Sequence, residues 1–137
     1  MSDRIYHETR TQGVKHVEYN FSITLASGAP QFVEGDLTTK AIGSYLTLTD
    51  TGTGVIGIAT NDPFLAVVCC TVSRSLATPT GNGLVDASLW TQDATKKTWS
   101  ATICTWTNVA GTHSAADMVA GDLVNVHLVL RNGGTLP

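Results

Sequence analysis

The side chains able to do chemistry in this 137-residue chain are four histidines, eleven carboxylates and three cysteines. His7, His16, His113 and His127 are scattered, with no H-x-H or H-x-x-x-H pair to offer two imidazoles to one ion. Cys69, Cys70 and Cys104 contain no C-x-x-C unit, which removes the basis for a zinc knuckle or a thioredoxin-type dithiol. Adjacent Cys69 and Cys70 would face opposite sides of a strand, so a bridge between them is sterically awkward. Three free thiols acting as small buried hydrophobes, in a reducing cytosol, are expected. No metal and no cofactor are expected.

Nucleophilic and acid–base groupings are equally sparse. "THSAAD" (Thr112 to Asp117) brings Ser, His and Asp together in sequence, but a triad needs convergence in space. There is no G-x-S-x-G elbow and no phosphate-binding glycine loop. The glycines of "DTGTG" (Asp50 to Gly54) lie between two strand-like runs with no helix after them, so they read as a turn. A glycosidase needs only two carboxylates at a set separation, and nothing groups Asp86, Asp117 and Asp122. The expectation is a protein that works by binding, with no catalytic residues.

Composition points the same way. Only 14% of residues are charged, against roughly 25% in ordinary soluble domains. The surface must then be built from Thr, Ser, Asn, Gly and Ala, which lose little ionic hydration on contact. Extensive protein contact is favoured. A net charge of −3 and no basic cluster beyond Lys96-Lys97 argue against nucleic acid. The opening "MSDRIYHETRTQG" lacks an apolar core of signal-peptide length, and no segment reaches the ~18 apolar residues of a membrane span. Use without Sec-type export and without a membrane partner is expected.

The elements that position these residues read as strands. In "KHVEYNFSITLA", Val17, Tyr19, Phe21, Ile23 and Leu25 share one face while His16, Glu18, Asn20, Ser22 and Thr24 share the other. "SGAP" ends that strand, and "FVEGDLTTKAIGS" is the one place for a brief helix or irregular loop. "SYLTLTDTGTGVIGIAT" predicts a hairpin turning at Asp50 to Gly54, and Asn61-Asp62-Pro63 a second turn. "FLAVVCCTVSR" reads as a central strand covered on both faces. "LVDASLWTQDATKKTWSATICTWT" predicts another hairpin, turning near Asp93 to Lys97, and "NVAGTHSAADMVAGD" a long loop. About seven short strands without helical periodicity give an all-β chain. The expected fold is a single-domain antiparallel β-sandwich, jelly-roll-like, over residues 14–137, preceded by an extended arm, residues 1–13.

The final strand, "GDLVNVHLVLRN", sets the functional question. Val124, Val126, Leu128 and Leu130 form a core face; Leu123, Asn125, His127, Val129 and Arg131 form a mixed one. That second face is expected to meet protein. Trp99 shares a face with Ala101 and Ile103 and reads as core. Trp106 lies with Thr98, Ser100, Thr102 and Cys104 and is the better contact anchor. Candidate interface residues are therefore Trp106, Asn125, His127 and Arg131, with Ile5 and Tyr6 in the arm.

Two blocks carry a resemblance. "TDTGTGVIGIATNDPFLAVVCCTVS" and "SAADMVAGDLVNVHLVLRN" resemble a group of small all-β proteins encoded by tailed bacteriophages. In that group a GTG hairpin leads into a DP(F/Y) turn and a long apolar strand, and the chain ends in A-x-D-x-x-x-G-D-x-V-x-V-x-L-V-x-R-N. The matching residues are Gly52, Gly54, Asp62, Pro63, Phe64, Asp117, Gly121, Asp122, Leu128, Val129, Arg131 and Asn132. The match covers roughly the last two thirds of the chain, and its motifs are structural rather than catalytic. Proteins of this look are similar to capsid cement, or decoration, proteins. The resemblance implies a virion protein on the capsid surface, partnered by the major capsid protein and by itself as a homodimer or homotrimer. Rival readings are a tail-fibre or spike receptor-binding sandwich, with Trp106 and Tyr45 as the aromatic platform, and a head-tail completion protein.

Overall fold

A strand with one apolar face must bury it against another sheet, and the alternation in this chain does so. The computed structural model describes residues 10–11, 14–26, 29–33, 42–78 and 83–132. These form eleven strands: β1 (Arg10–Thr11), β2 (Val14–Ala26), β3 (Ala29–Phe32), β4 (Leu46–Gly52), β5 (Val55–Thr60), β6 (Ala66–Ser75), β7 (Gly83–Ala87), β8 (Thr91–Gln92), β9 (Trp99–Val109), β10 (Thr112–Ala115) and β11 (Leu123–Arg131). Among the described residues a 3-10 turn at Ile42–Ser44 falls in the stretch read as a brief helix or irregular loop.

Two antiparallel sheets pack as a β-sandwich. The first runs β1-β2-β11-β6, with β3 also on β2; the second runs β10-β9-β5-β4, with β7 and β8 also on β9. Both β5 and β7 pair with Ile103 and Cys104, so they occupy opposite edges of β9. The core face of β11 is as the alternation demands: Val124, Val126, Leu128 and Leu130 are all 3% exposed or less. They pack with Ile23 of the neighbouring β2 and with Leu46, Ile58 and Ile103 of the facing sheet. Trp99 packs against this core, as its face predicts. Within the expected arm, Arg10–Thr11 pair with Val14 and Lys15 of β2; residues 1–9 lie outside the described residues.

Two expectations fail. Strand β6 is not a central strand but an edge, paired only with β11 among the described residues, and it is half-buried through most of its length. Its continuous apolar run mimics a doubly covered strand. The genuinely central strand is β11, whose outer face is mixed because it is open. The expected long loop after β9 contains a hairpin, in which β10 pairs Thr112 to Ala115 with Val109 to Trp106. Ala110 and Gly111 make its turn with φ of 51° and 83°. A two-residue turn with both φ positive usually announces itself as Asn-Gly or Asp-Gly, and Ala-Gly hides it.

Two of the predicted turns, at 61–63 and 93–97, are pinned by hydrogen bonds. The Phe64 carbonyl accepts the Trp99 indole N–H at 2.9 Å and the Gln92 amide at 3.1 Å. Thr60 donates to the Asp62 carbonyl and accepts the Trp99 amide, both at 2.9 Å. In the 93–97 turn, Asp93 accepts the Thr95 and Lys96 amides. These bonds hold its carboxyl below the usual carboxylate range, the Lys96 amide most and then that of Thr95.

Gly54 joins the two sequence blocks. Its N–H donates to Asp117 Oδ1 at 2.6 Å and its carbonyl accepts the Thr105 amide at 2.8 Å. A Cβ there would lie 2.6 Å from the Thr105 carbonyl oxygen and 2.7 Å from the Ala116 nitrogen, with φ at +69°. Neither obstacle is a flexible side chain. Gly54→Ala is therefore expected to lower the unfolding free energy by at least about 3 kcal/mol in urea titration. Gly111→Ala, strained in φ but with open space around the new methyl, is expected to cost only about 1–2 kcal/mol. Equal losses would refute the close-approach argument.

Candidate functional site: two open sheet faces and the seam between them

The outer face of the first sheet crosses three strands and is mixed, with Leu123 and Val129 among its polar side chains. Asn125 on β11 lies opposite Ser22 of β2 and Ser73 of β6, and His127 lies opposite Asn20 and Thr71. The side chains are already tied together. Ser22 donates to Asn125 Oδ1 at 2.8 Å, and the Asn125 amide donates to Ser75 Oγ at 3.0 Å. His127 Nε2 donates to Glu18 Oε1 at 2.5 Å, with the two side chains 40% and 47% exposed. An exposed pair of that kind contributes at most about 1 kcal/mol to stability. Arg131 is exposed at the end of the same face, opposite His16 and Ala66.

The outer face of the second sheet differs in chemistry. Thr49 and Thr51 of β4, Gly57 and Ala59 of β5, and Ser100 and Thr102 of β9 line a shallow trough of about 440 Å³. Gly57 and Ala59 leave it empty because they bring almost no side chain. At its rim the chain leaves the ladder between β7 and β8. There Ser88 exchanges bonds with Thr102, its N–H donating to the carbonyl at 2.8 Å and its Oγ accepting the amide at 2.9 Å. The next residue, Leu89, is 86% exposed.

Between the faces runs a seam closed by a buried ion pair. Arg74 lies on the inward side of β6, opposite Val124. Its Nη2 bonds Asp122 Oδ2 at 2.9 Å, each side chain being only 4% exposed. Nη1 reaches the carbonyls of Leu84 and Trp106 in the second sheet, at 3.3 and 3.2 Å. Asp122 also accepts the amides of Ala77 at 2.9 Å and Val119 at 3.3 Å. Burial acts to raise the Asp122 pKa. The Ala77 amide, the Arg74 guanidinium and the Val119 amide outweigh it, and the carboxyl titrates below the ordinary range. Gly83 permits the approach, since a Cβ there would meet Leu76 Cδ2 at 2.5 Å and Arg74 Nε at 3.0 Å.

The candidate residues thus separate. Asn125, His127 and Arg131 share the first sheet's outer face, while Trp106 belongs to β9 on the outer side of the second sheet. They cannot form one continuous patch. Trp106 is half-buried beside Leu84 and Ala115, and its indole nitrogen is enclosed without a hydrogen-bond partner among the described residues. Ile5 and Tyr6 lie outside the described residues. The Ser, His and Asp of "THSAAD" stay apart: adjacent His113 and Ser114 project from opposite sides of β10, and Asp117 is taken by Gly54. The thiols are free but half-buried rather than buried. Burial pushes the Cys70 thiol pKa up, against a smaller lowering by the Trp90 indole. Among the described residues no three His, Cys, Asp or Glu side chains are placed to hold a metal ion, and no helix is long and apolar enough to cross a membrane.

Sequence reasoning missed Arg74 and Leu89. A lone guanidinium ending an apolar run, and an acid just before the last strand, were the available signal for the first. Nothing in "SLW" marks Leu89 as exposed. No protein-family model, no curated protein and no solved structure matches the chain.

The buried pair generates a test. Asp122→Ala leaves a guanidinium uncompensated and is expected to cost about 3–5 kcal/mol in urea unfolding. Replacing both partners, Arg74→Met with Asp122→Leu, should recover most of that loss. Because the folded pKa of Asp122 is depressed, its contribution is full above the unfolded carboxylate value near ~3.9 and fades as pH falls through the lower folded value. Stability measured from pH 5 down to 2 should drop in the wild type, with the Asp122 share of that drop absent from the double variant. Identical acid profiles would refute it.

Proposed function

We propose that this chain is a virion structural protein of a tailed bacteriophage, a capsid cement protein that binds the outside of the assembled shell through the major capsid protein. The observation that carries the reading is the pre-ordered polar row on the first sheet, Ser22–Asn125–Ser75 and Glu18–His127 beside Arg131. Side chains fixed before contact lose little rotamer freedom on binding. Their mutual bonds add little to the monomer, which leaves recognition as their use. The resemblance of the two sequence blocks to phage proteins supports the reading in a second way.

Mechanistically, a ligand of the mature shell stabilises that state by mass action, as RT ln(1 + [L]/Kd) per site. Repeated sites on one particle add avidity. Chemistry at the protein surface is not required; complementarity is.

The test is co-sedimentation with shells of the cognate virus that lack this protein. Saturable binding at a fixed ratio to the major capsid subunit, with increased heat resistance of the shell, is the expected result. His127→Ala and Arg131→Ala should each weaken binding about tenfold or more while leaving the unfolding free energy of the free protein within about 1 kcal/mol of wild type. No binding to shells, with the protein found in tail fractions instead, would overturn the reading.

A further inference from the structure

We infer that the end of the sandwich built from the 61–65 and 93–97 turns is a docking site for an acidic polypeptide segment that carries a large apolar residue among its carboxylates. The site adjoins the polar row of the first sheet at Arg131, but it does not rest on the use proposed for that row.

The fold assembles here a basic cluster that the sequence disperses. The Phe64 N–H donates to the Lys97 carbonyl at 3.1 Å, and the next amide, that of Leu65, donates to the Arg131 carbonyl at 2.8 Å. Lys96, Lys97 and Arg131, all exposed, are thereby brought to one dipeptide. Strand pairing carries the same end across the first sheet. Arg131 lies opposite His16, and the preceding residue of β2, Lys15, lies opposite Arg10. Arg10, Lys15, Lys96, Lys97 and Arg131 make five of the eight Lys and Arg positions of the chain. Two carboxylates share this end. Asp93 accepts the Thr95 and Lys96 amides within its own turn. Asp62 lies toward Tyr19, whose pKa is raised by burial first and then by the Asp62 charge. Glu18, farther along the face, is held by His127. A chain of net charge −3 thus gathers its cations at one end.

Beside the cations is a place for an apolar side chain. A pocket of about 430 Å³ opens over Pro63, Phe64 and Leu65, with Lys97 and Asn132 in its walls and no carboxylate among its described lining. Its floor is fixed, because Phe64 is buried and its carbonyl is bound by Trp99 and Gln92. Its lip is open, since Leu65 is 55% exposed. Lys97 stands there with φ at 62°, where glycine or asparagine is the relaxed choice. Its carbonyl is held by Phe64 and its N–H by the Asp93 carbonyl, so the side chain leaves a fixed backbone at the pocket wall.

These features select the occupant. The cations call for an anionic partner, and the apolar floor calls for a side chain that a nucleic-acid backbone lacks. A long polyanion would also run onto the acidic remainder of the chain. A short acidic segment with one apolar anchor satisfies cluster and pocket together.

The experiment is titration of the ¹⁵N-labelled full chain, without shells, with the peptide Asp-Glu-Phe-Glu-Asp, acetylated and amidated at its ends. The expected result is saturable movement of the Leu65, Lys97 and Asn132 amide signals, with that of Val109 at the far end unmoved. Glycine in place of the peptide's phenylalanine, the double substitution Lys96→Gln with Lys97→Gln, and Leu65→Ser should each raise the dissociation constant about fivefold or more. Unchanged signals elsewhere in each variant separate lost binding from lost folding. No movement at about 5 mM peptide, movement centred elsewhere, or equal binding of Lys-Lys-Phe-Lys-Lys would each overturn the inference. So would tighter binding of a single-stranded oligonucleotide of equal charge, or of vesicles containing anionic lipid. Because no shell is present, failure here leaves the cement reading standing, and failure to bind shells leaves this site standing.

Discussion

The sandwich depends on how its open seam is closed, and that falls to the Arg74–Asp122 pair. Apolar burial drives the two sheets together but has no direction. A buried guanidinium does have direction, because its donors must be placed or the desolvation cost stands uncompensated. Arg74 reaches from β6 to the carbonyls of β7 and β9, and Asp122 returns to the amides beside β6 and β11. This fixes where the first sheet's edge meets the second. Gly83 belongs to the same device by what it lacks.

Much of the core was legible because burial on one face leaves a period-two trace. β2 and β11 alternate strictly, and their inward residues are the core. Legibility failed where that link between pattern and burial weakens. β6 carries an apolar run at a sheet edge, so its sequence resembles a strand it is not. The β9–β10 hairpin turns through Ala110, a residue whose positive φ no turn rule predicts. At the surface the limits are sharper. His127, Asn125 and Arg131 could be placed on one face from alternation alone. Trp106 could not be assigned to the opposite side of the molecule, because the pairing order of non-adjacent strands is a tertiary fact. Leu89 is conspicuous only once Ser88 and Trp90 are seen to hold it outward.

The two sheets offer contrasting chemistry to the outside. One face is mixed, its polar row ordered by its own hydrogen bonds, and carries ionisable groups. The other is hydroxyl and methyl along its trough, with glycine and alanine where bulk would sit. The two surfaces face away from each other, so contact at one leaves the other uncovered.

The pairing of β2 with β11 has a consequence for how the chain comes into being. Ser22 and Asn125 are separated by 103 positions, and Glu18 and His127 by 109. The second sheet, built from β4, β5 and β7 to β10, can assemble from nearer neighbours while synthesis proceeds. In the first sheet β1 and β3 can pair with β2 early, but β11 cannot. Strand β2 is made early and must wait, its apolar face uncovered, for almost the whole chain to leave the ribosome. Its polar row of His16, Glu18, Asn20, Ser22 and Thr24 gives the early β1–β2–β3 unit one wet face while β11 is still to come.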